Sequence, residues 1–67
     1  MTPQREIDNV VFESLLDDEY QPIIDLMRRG FREGTVRASL KRLLEEKRII
    51  RKWDGNERYG RYVYRQA

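Results

Sequence analysis

Gly30–Ile50, GFREGTVRASLKRLLEEKRII, is the stretch whose reading decides the fold. It reads as a turn, then a helix, then the start of a strand. Val36, Leu40, Leu43 and Leu44 fall at i, i+4, i+7 and i+8, one apolar stripe at the helical period. Arg37, Lys41, Arg42 and Glu45 fall away from that stripe, toward solvent or a partner. Gly30 stands before Phe31 and can supply the positive φ that ends a preceding helix. The residues that follow, IIRKWDGNERYGRYVYR, read as a basic β-hairpin.

Working outward toward the N-terminus, Thr2 and Pro3 suit a helix start, because threonine can cap and proline fits the first turn. Helix 1 is expected from about Pro3 to Leu16, with Ile7, Val10, Val11, Ser14 and Leu15 on its inner face. Asp17, Asp18 and Glu19 mark a loop. Tyr20–Gln21–Pro22 is short and extended, since the residue before proline avoids the α region, and it can add a minimal strand. Helix 2 follows through IIDLMRR and is ended by Gly30, with Phe31 plugging the corner. Helix 3 is expected from Arg32 or Glu33 to Glu46 or Lys47, with Ser39 on its buried side. In the hairpin, Asp54–Gly55–Asn56 is the turn signal. Tyr62 and Tyr64 alternate with Arg61, Val63 and Arg65. Trp53, Tyr62 and Tyr64 are expected to cover the core, and Asn56 to serve the turn.

The 67 residues make one α+β domain with a small core, because a chain of this size buries only about 60% of its unfolded surface. Hydrophobic and charged residues each make up 39%, and there is no cysteine or histidine. That removes disulfides, cysteine or histidine metal ligands, and cysteine- or histidine-centred catalysis. Ser39 has no base to activate it, and Glu13 and Asp17 are expected as solvated carboxylates rather than an acid–base pair. No P-loop or dinucleotide fingerprint is present. No enzyme activity, cofactor, metal or small-molecule substrate is expected. Nor is a secretory signal or a bilayer-spanning stretch, so the expected setting is cytoplasmic.

The net charge is +2, but it is unevenly spread. Residues 1–27 hold one basic and seven acidic side chains; residues 28–67 hold thirteen basic and five acidic. A cationic face for an anionic partner, with an acidic back, follows from this division.

A short helix ending in glycine, a tight connection and a longer helix with a basic outer face form the pattern of a helix-turn-helix. With the basic hairpin behind it, the chain resembles the winged helix-turn-helix domain of small bacterial, phage and plasmid transcription regulators. The likeness rests on Gly30-Phe31-Arg32-Glu33-Gly34-Thr35-Val36, Leu40-Lys41-Arg42-Leu43 and Ile49, and it runs from about Ile7 to Tyr64. Two positions depart from the family. Arg32 stands where a Ser, Thr or Asp cap is usual, and Lys47 where glycine usually ends the recognition helix.

The resemblance implies three helices with a C-terminal hairpin wing and sequence-specific binding to double-stranded DNA. In the recognition helix, Arg32, Gly34, Thr35, Arg37, Ala38, Lys41 and Arg42 are the candidate contacts. Arg37 suits a guanine edge, Ala38 a thymine methyl, and Lys41 and Arg42 phosphates. In the wing the candidates are Arg51, Lys52, Arg58, Tyr59 and Arg61, along phosphates or in a narrow minor groove. A module this small is expected to act as a homodimer, at tandem sites or with a second regulatory protein. The alternatives are a protein-interaction module docking through helix 1, and an RNA-binding domain using the wing and Tyr59.

Overall fold

A computed structural model describes residues 4–67; the Thr2–Pro3 helix start lies outside the described residues. The order of elements is α1 (Gln4–Ser14), β1 (Gln21–Pro22), α2 (Ile23–Met27), α3 (Glu33–Glu45), β2 (Ile49–Gly55) and β3 (Gly60–Gln66). The described residues thus form a small α+β domain of three helices and a three-stranded antiparallel sheet in the order β1-β3-β2. Among the described residues no helix is long and apolar enough to cross a membrane.

The α3 stripe organises the core. Val36, Leu40 and Leu43 are buried against Val11 of α1, Leu15 just past its end, Leu26 of α2, Ile49 of β2 and Tyr64 of β3. Ile7, Phe12, Ile23, Phe31 and Leu44 pack around this cluster half-buried. Phe31 fills the corner as expected, and Gly30, at φ +103°, makes the turn that ends the preceding helix. Tyr20–Pro22 does yield a minimal strand: Gln21 and Pro22 pair with Tyr64 and Val63.

Two helices are shorter than their patterns suggest. α2 stops at Met27, and Arg29 and Gly30 continue as turns bonded to Leu26 and Met27. α1 stops at Ser14, and Val10, expected inside, is 48% exposed. The end of α1 is tied to the sheet from outside its own sequence. The Gln66 side-chain amide donates to the carbonyls of Phe12 and Leu15, each at 2.9 Å, and the Gln66 N–H to Leu16 at 2.8 Å. These bonds satisfy carbonyls that a helix end leaves free.

Helix α3 starts without a side-chain cap, because Arg32 at the cap position offers no acceptor. It ends in a Schellman turn, with the Lys47 N–H on the Leu44 carbonyl and the Arg48 N–H on the Leu43 carbonyl, each at 3.0 Å. Lys47 occupies the left-handed position of that turn at φ +59°. A strained lysine therefore holds a position that favours glycine, and the chain still turns directly into β2.

Candidate nucleic-acid interface

Burial of Val36, Ser39, Leu40 and Leu43 turns the opposite side of α3 outward. Arg37, Ala38 and Lys41 are exposed on the first turns, with Arg32 and Gly34 exposed at its start; Thr35 is half-buried. The Arg37 Nε donates to Glu33 at 2.9 Å. Both side chains of this pair are more than half exposed, and such a pair is weak and exchanges readily.

The hairpin register sorts its side chains onto two faces. Trp53 pairs with Tyr62, Arg51 with Tyr64 and Ile49 with Gln66, so these share the face that continues the core. Lys52 pairs with Val63, Asp54 with Arg61 and Ile50 with Arg65 on the other face. There the Tyr20 ring lies against Lys52 at 4.4 Å and Arg65 at 5.2 Å. Lys52 is therefore held on the face away from the core. Arg51 stacks over Tyr62 at 4.2 Å on the core side.

The turn is displaced from its predicted place. β2 runs on through Asp54 and Gly55, and the loop is Asn56–Glu57–Arg58–Tyr59. Asn56 serves the turn, as expected: its Oδ1 accepts the N–H groups of Arg58 and Tyr59 at 2.9 and 2.8 Å, and its own N–H donates to the Tyr59 carbonyl. The Trp53 indole N–H closes the loop from below, on the Asn56 carbonyl at 2.9 Å. Arg58 is exposed at the tip, and Tyr59 beside it is 77% exposed.

Trp53 and Tyr62 do not cover the core, contrary to expectation. They are 48% and 44% exposed, whereas Tyr64 alone of the three is buried. The reason is reach. Only Ile49 and Ile50 of β2 and the last four residues of β3 are drawn into the body, so the distal half of the hairpin overshoots it. The molecule is accordingly elongated, 40 Å along its longest axis against 22 and 19 Å.

Between α3 and the core-side face of the hairpin lie two hollows. One, of about 240 Å³, is lined by Ile23, Arg37, Trp53, Gly60, Arg61, Tyr62 and Tyr64. The other, of about 250 Å³, is lined by Arg37, Leu40, Lys41, Leu44, Arg51 and Tyr64. Arg37 and Tyr64 border both, so the two form one groove with Arg37, Lys41 and Arg51 along its edges; Arg61 also lines the first hollow, although the register turns its side chain to the other face of the hairpin.

Arg42 is not part of this surface, and here the sequence expectation is corrected. Its Nε and a terminal nitrogen grip both oxygens of Asp8 at 2.8 and 2.7 Å, and the Ser39 hydroxyl donates to the same carboxylate at 2.7 Å. Asp8 is 6% exposed and Ser39 fully buried. The Arg42 hydrogen bonds hold the Asp8 carboxyl below its usual range, against the opposing effect of its burial, with a further contribution from Ser39. Asp8 in turn raises the Arg42 guanidinium. The residues had carried a signal: Asp8 and Val11 of α1 and Leu15 just past it fall at i, i+3 and i+7, on one side at the helical period.

Among the residues expected to contact a nucleic acid, the fold gathers Arg37, Lys41, Arg51 and Arg61 around the groove. Arg58 and Tyr59 are carried at the hairpin tip, and Arg32, Gly34 and Ala38 lie exposed along α3. Lys52 and Arg42 are turned to other partners. The sequence reading missed the Trp53–Tyr62 pair as exposed surface. Comparison of the chain with protein-family models, with curated proteins and with solved structures finds no match.

Proposed function

We propose that this chain is a winged helix-turn-helix domain that binds double-stranded DNA in a sequence-specific manner, as a transcription regulator. The observation that carries this reading is the basic groove, in which Arg37 and Lys41 of α3 stand beside Arg51 of the hairpin. In this reading α3 enters the major groove, whose width admits a helix, with Arg37 and Ala38 at base edges. Lys41, the uncapped N–H groups at the start of α3 and the cations of the hairpin meet phosphates. Arg58 and Arg61 carry the wing along the backbone. The acidic side of α1 faces away from the DNA. The test is selection of bound sites from a random duplex library. Recovery of a short recurring motif supports the reading; a pool as random as its input overturns sequence-specific binding.

One observation favours a second reading, a protein-interaction module. Ile7, Val10 and Phe31 line an apolar hollow of about 220 Å³ on the α1 side, with Glu6 at its margin. That reading predicts a stoichiometric protein partner and no affinity for duplex DNA even at low salt.

A further inference from the structure

We infer that the hollow between α3 and the distal hairpin is a stacking site for one unpaired nucleobase next to a DNA duplex. The inference rests on the DNA-binding reading above and adds a substrate feature to it.

The first observation is the exposure of the Trp53–Tyr62 pair. An indole and a phenol ring together offer several hundred Å² of largely apolar surface. In an 8.2 kDa domain with a small core, leaving both near half-exposed forfeits a large share of the available burial. The second is how rigidly they are held. The indole N–H is fixed to the Asn56 carbonyl at 2.9 Å. The two rings meet edge to face, 5.1 Å between centroids and 76° between planes. Arg51 covers Tyr62. Position 60 is bare where a side chain would collide: a Cβ there would stand 2.8 Å from the indole Cζ2 and 2.7 Å from the Asp54 carbonyl oxygen. A shelf fixed in this way loses little side-chain entropy when a flat ring lands on it.

The third observation is what surrounds the shelf. Ile23 and Tyr64 add apolar lining, while Arg37 brings a cation to the same hollow. Its volume of about 240 Å³ lies below the roughly 300–1,000 Å³ of pockets that enclose drug-sized ligands. It suits a single ring system with a charged tail. A nucleobase with its phosphate has that composition. Bases inside a duplex are stacked on both faces and present only edges, so the matching ligand is a base out of the stack, at a bulge or a strand end.

Trp53 is the only tryptophan, so its fluorescence reports the site directly. The intact chain is titrated with a paired duplex, the same duplex carrying one unpaired base, a single strand, and the ribose version of the bulged duplex. The expected result is quenching of Trp53 by the bulged duplex and binding about 5- to 150-fold tighter than to the paired one. With end-labelled DNA, Trp53→Phe should keep most of that preference and Trp53→Leu lose it. Should Trp53→Leu fail to fold, quenching of the native protein decides alone. Equal affinity for bulged and paired duplex without quenching overturns the inference and leaves the duplex reading intact. Quenching by the single strand with no binding to the paired duplex keeps the base site and overturns the duplex reading. Tighter binding of the ribose probe overturns the assignment to DNA, and no binding of any probe overturns both readings.

Discussion

Replacing Lys47 by glycine is expected to stabilise the domain. Lys47 sits at φ +59°, in the left-handed position of the turn that ends α3. Its Cβ crowds the following carbonyl there, at a cost of roughly 1–2 kcal/mol. Glycine has no such cost, but it loses about 0.5–1 kcal/mol more chain entropy on folding. The Lys47 side chain is exposed and makes no hydrogen bond among the described residues, so little else is given up. The two turn bonds, to Leu43 and Leu44, are made by backbone groups and survive the change. The net gain is about 0.5–1 kcal/mol, which for a domain of this size raises Tm by roughly 3–6 °C. Thermal unfolding followed by circular dichroism measures it. The control is Glu46→Gly one residue earlier, at φ −81° and ψ −3°, where the same entropy cost brings no relief of strain and Tm should fall. A Lys47→Gly protein that melts at or below the temperature of the native chain would refute the assignment of strain to this position.

Asp8→Ala should destabilise by about 1–3 kcal/mol, because it orphans the buried Ser39 hydroxyl; urea unfolding measures the loss. The native Asp8 carboxyl is held below its unfolded value, so its contribution is full at neutral pH. It drains away as pH falls below about 4 and through the folded pKa. Urea midpoints measured against pH should therefore drop more steeply in acid for the native chain than for Asp8→Asn. Gly60→Ala should cost about 1–3 kcal/mol by overpacking against Trp53 and Asp54, with the Trp53 emission shifting before the helices melt. Arg37→Ala should relax sequence preference by about 5- to 150-fold at one base position, read by competition between selected and random duplexes. Arg58→Ala should weaken binding to every sequence alike and lower the salt slope by about one.

The order of elements was legible because each announces itself locally. The period of Val36, Leu40 and Leu43 gives α3, the proline at position 22 gives the extended start of α2, and alternation gives the hairpin. What was not legible depends on contacts across the chain. Gln66 ends α1 from the far end of the sequence, and no local pattern encodes that. Asp8 looks solvated until Ser39 and Arg42, one turn apart on α3, are brought beside it. Their pairing removes Arg42 from the basic face that its own helix implies. Alternation correctly set Tyr62 and Tyr64 on one face. How far along the hairpin the core reaches is a property of the body it leans on, so Trp53 and Tyr62 were placed inside when they stand beyond it.

The basic groove as a DNA surface is tested most directly by the salt dependence of affinity for random-sequence duplex. Arg32, Lys41, Arg51, Arg58 and Arg61 are exposed on or beside the groove, the hairpin and its tip. If each of these five meets a phosphate, log K should fall against log salt with a slope of about −4.5. A slope near zero, or no binding at the lowest salt, would contradict the account and assign the cationic half of the chain to another partner.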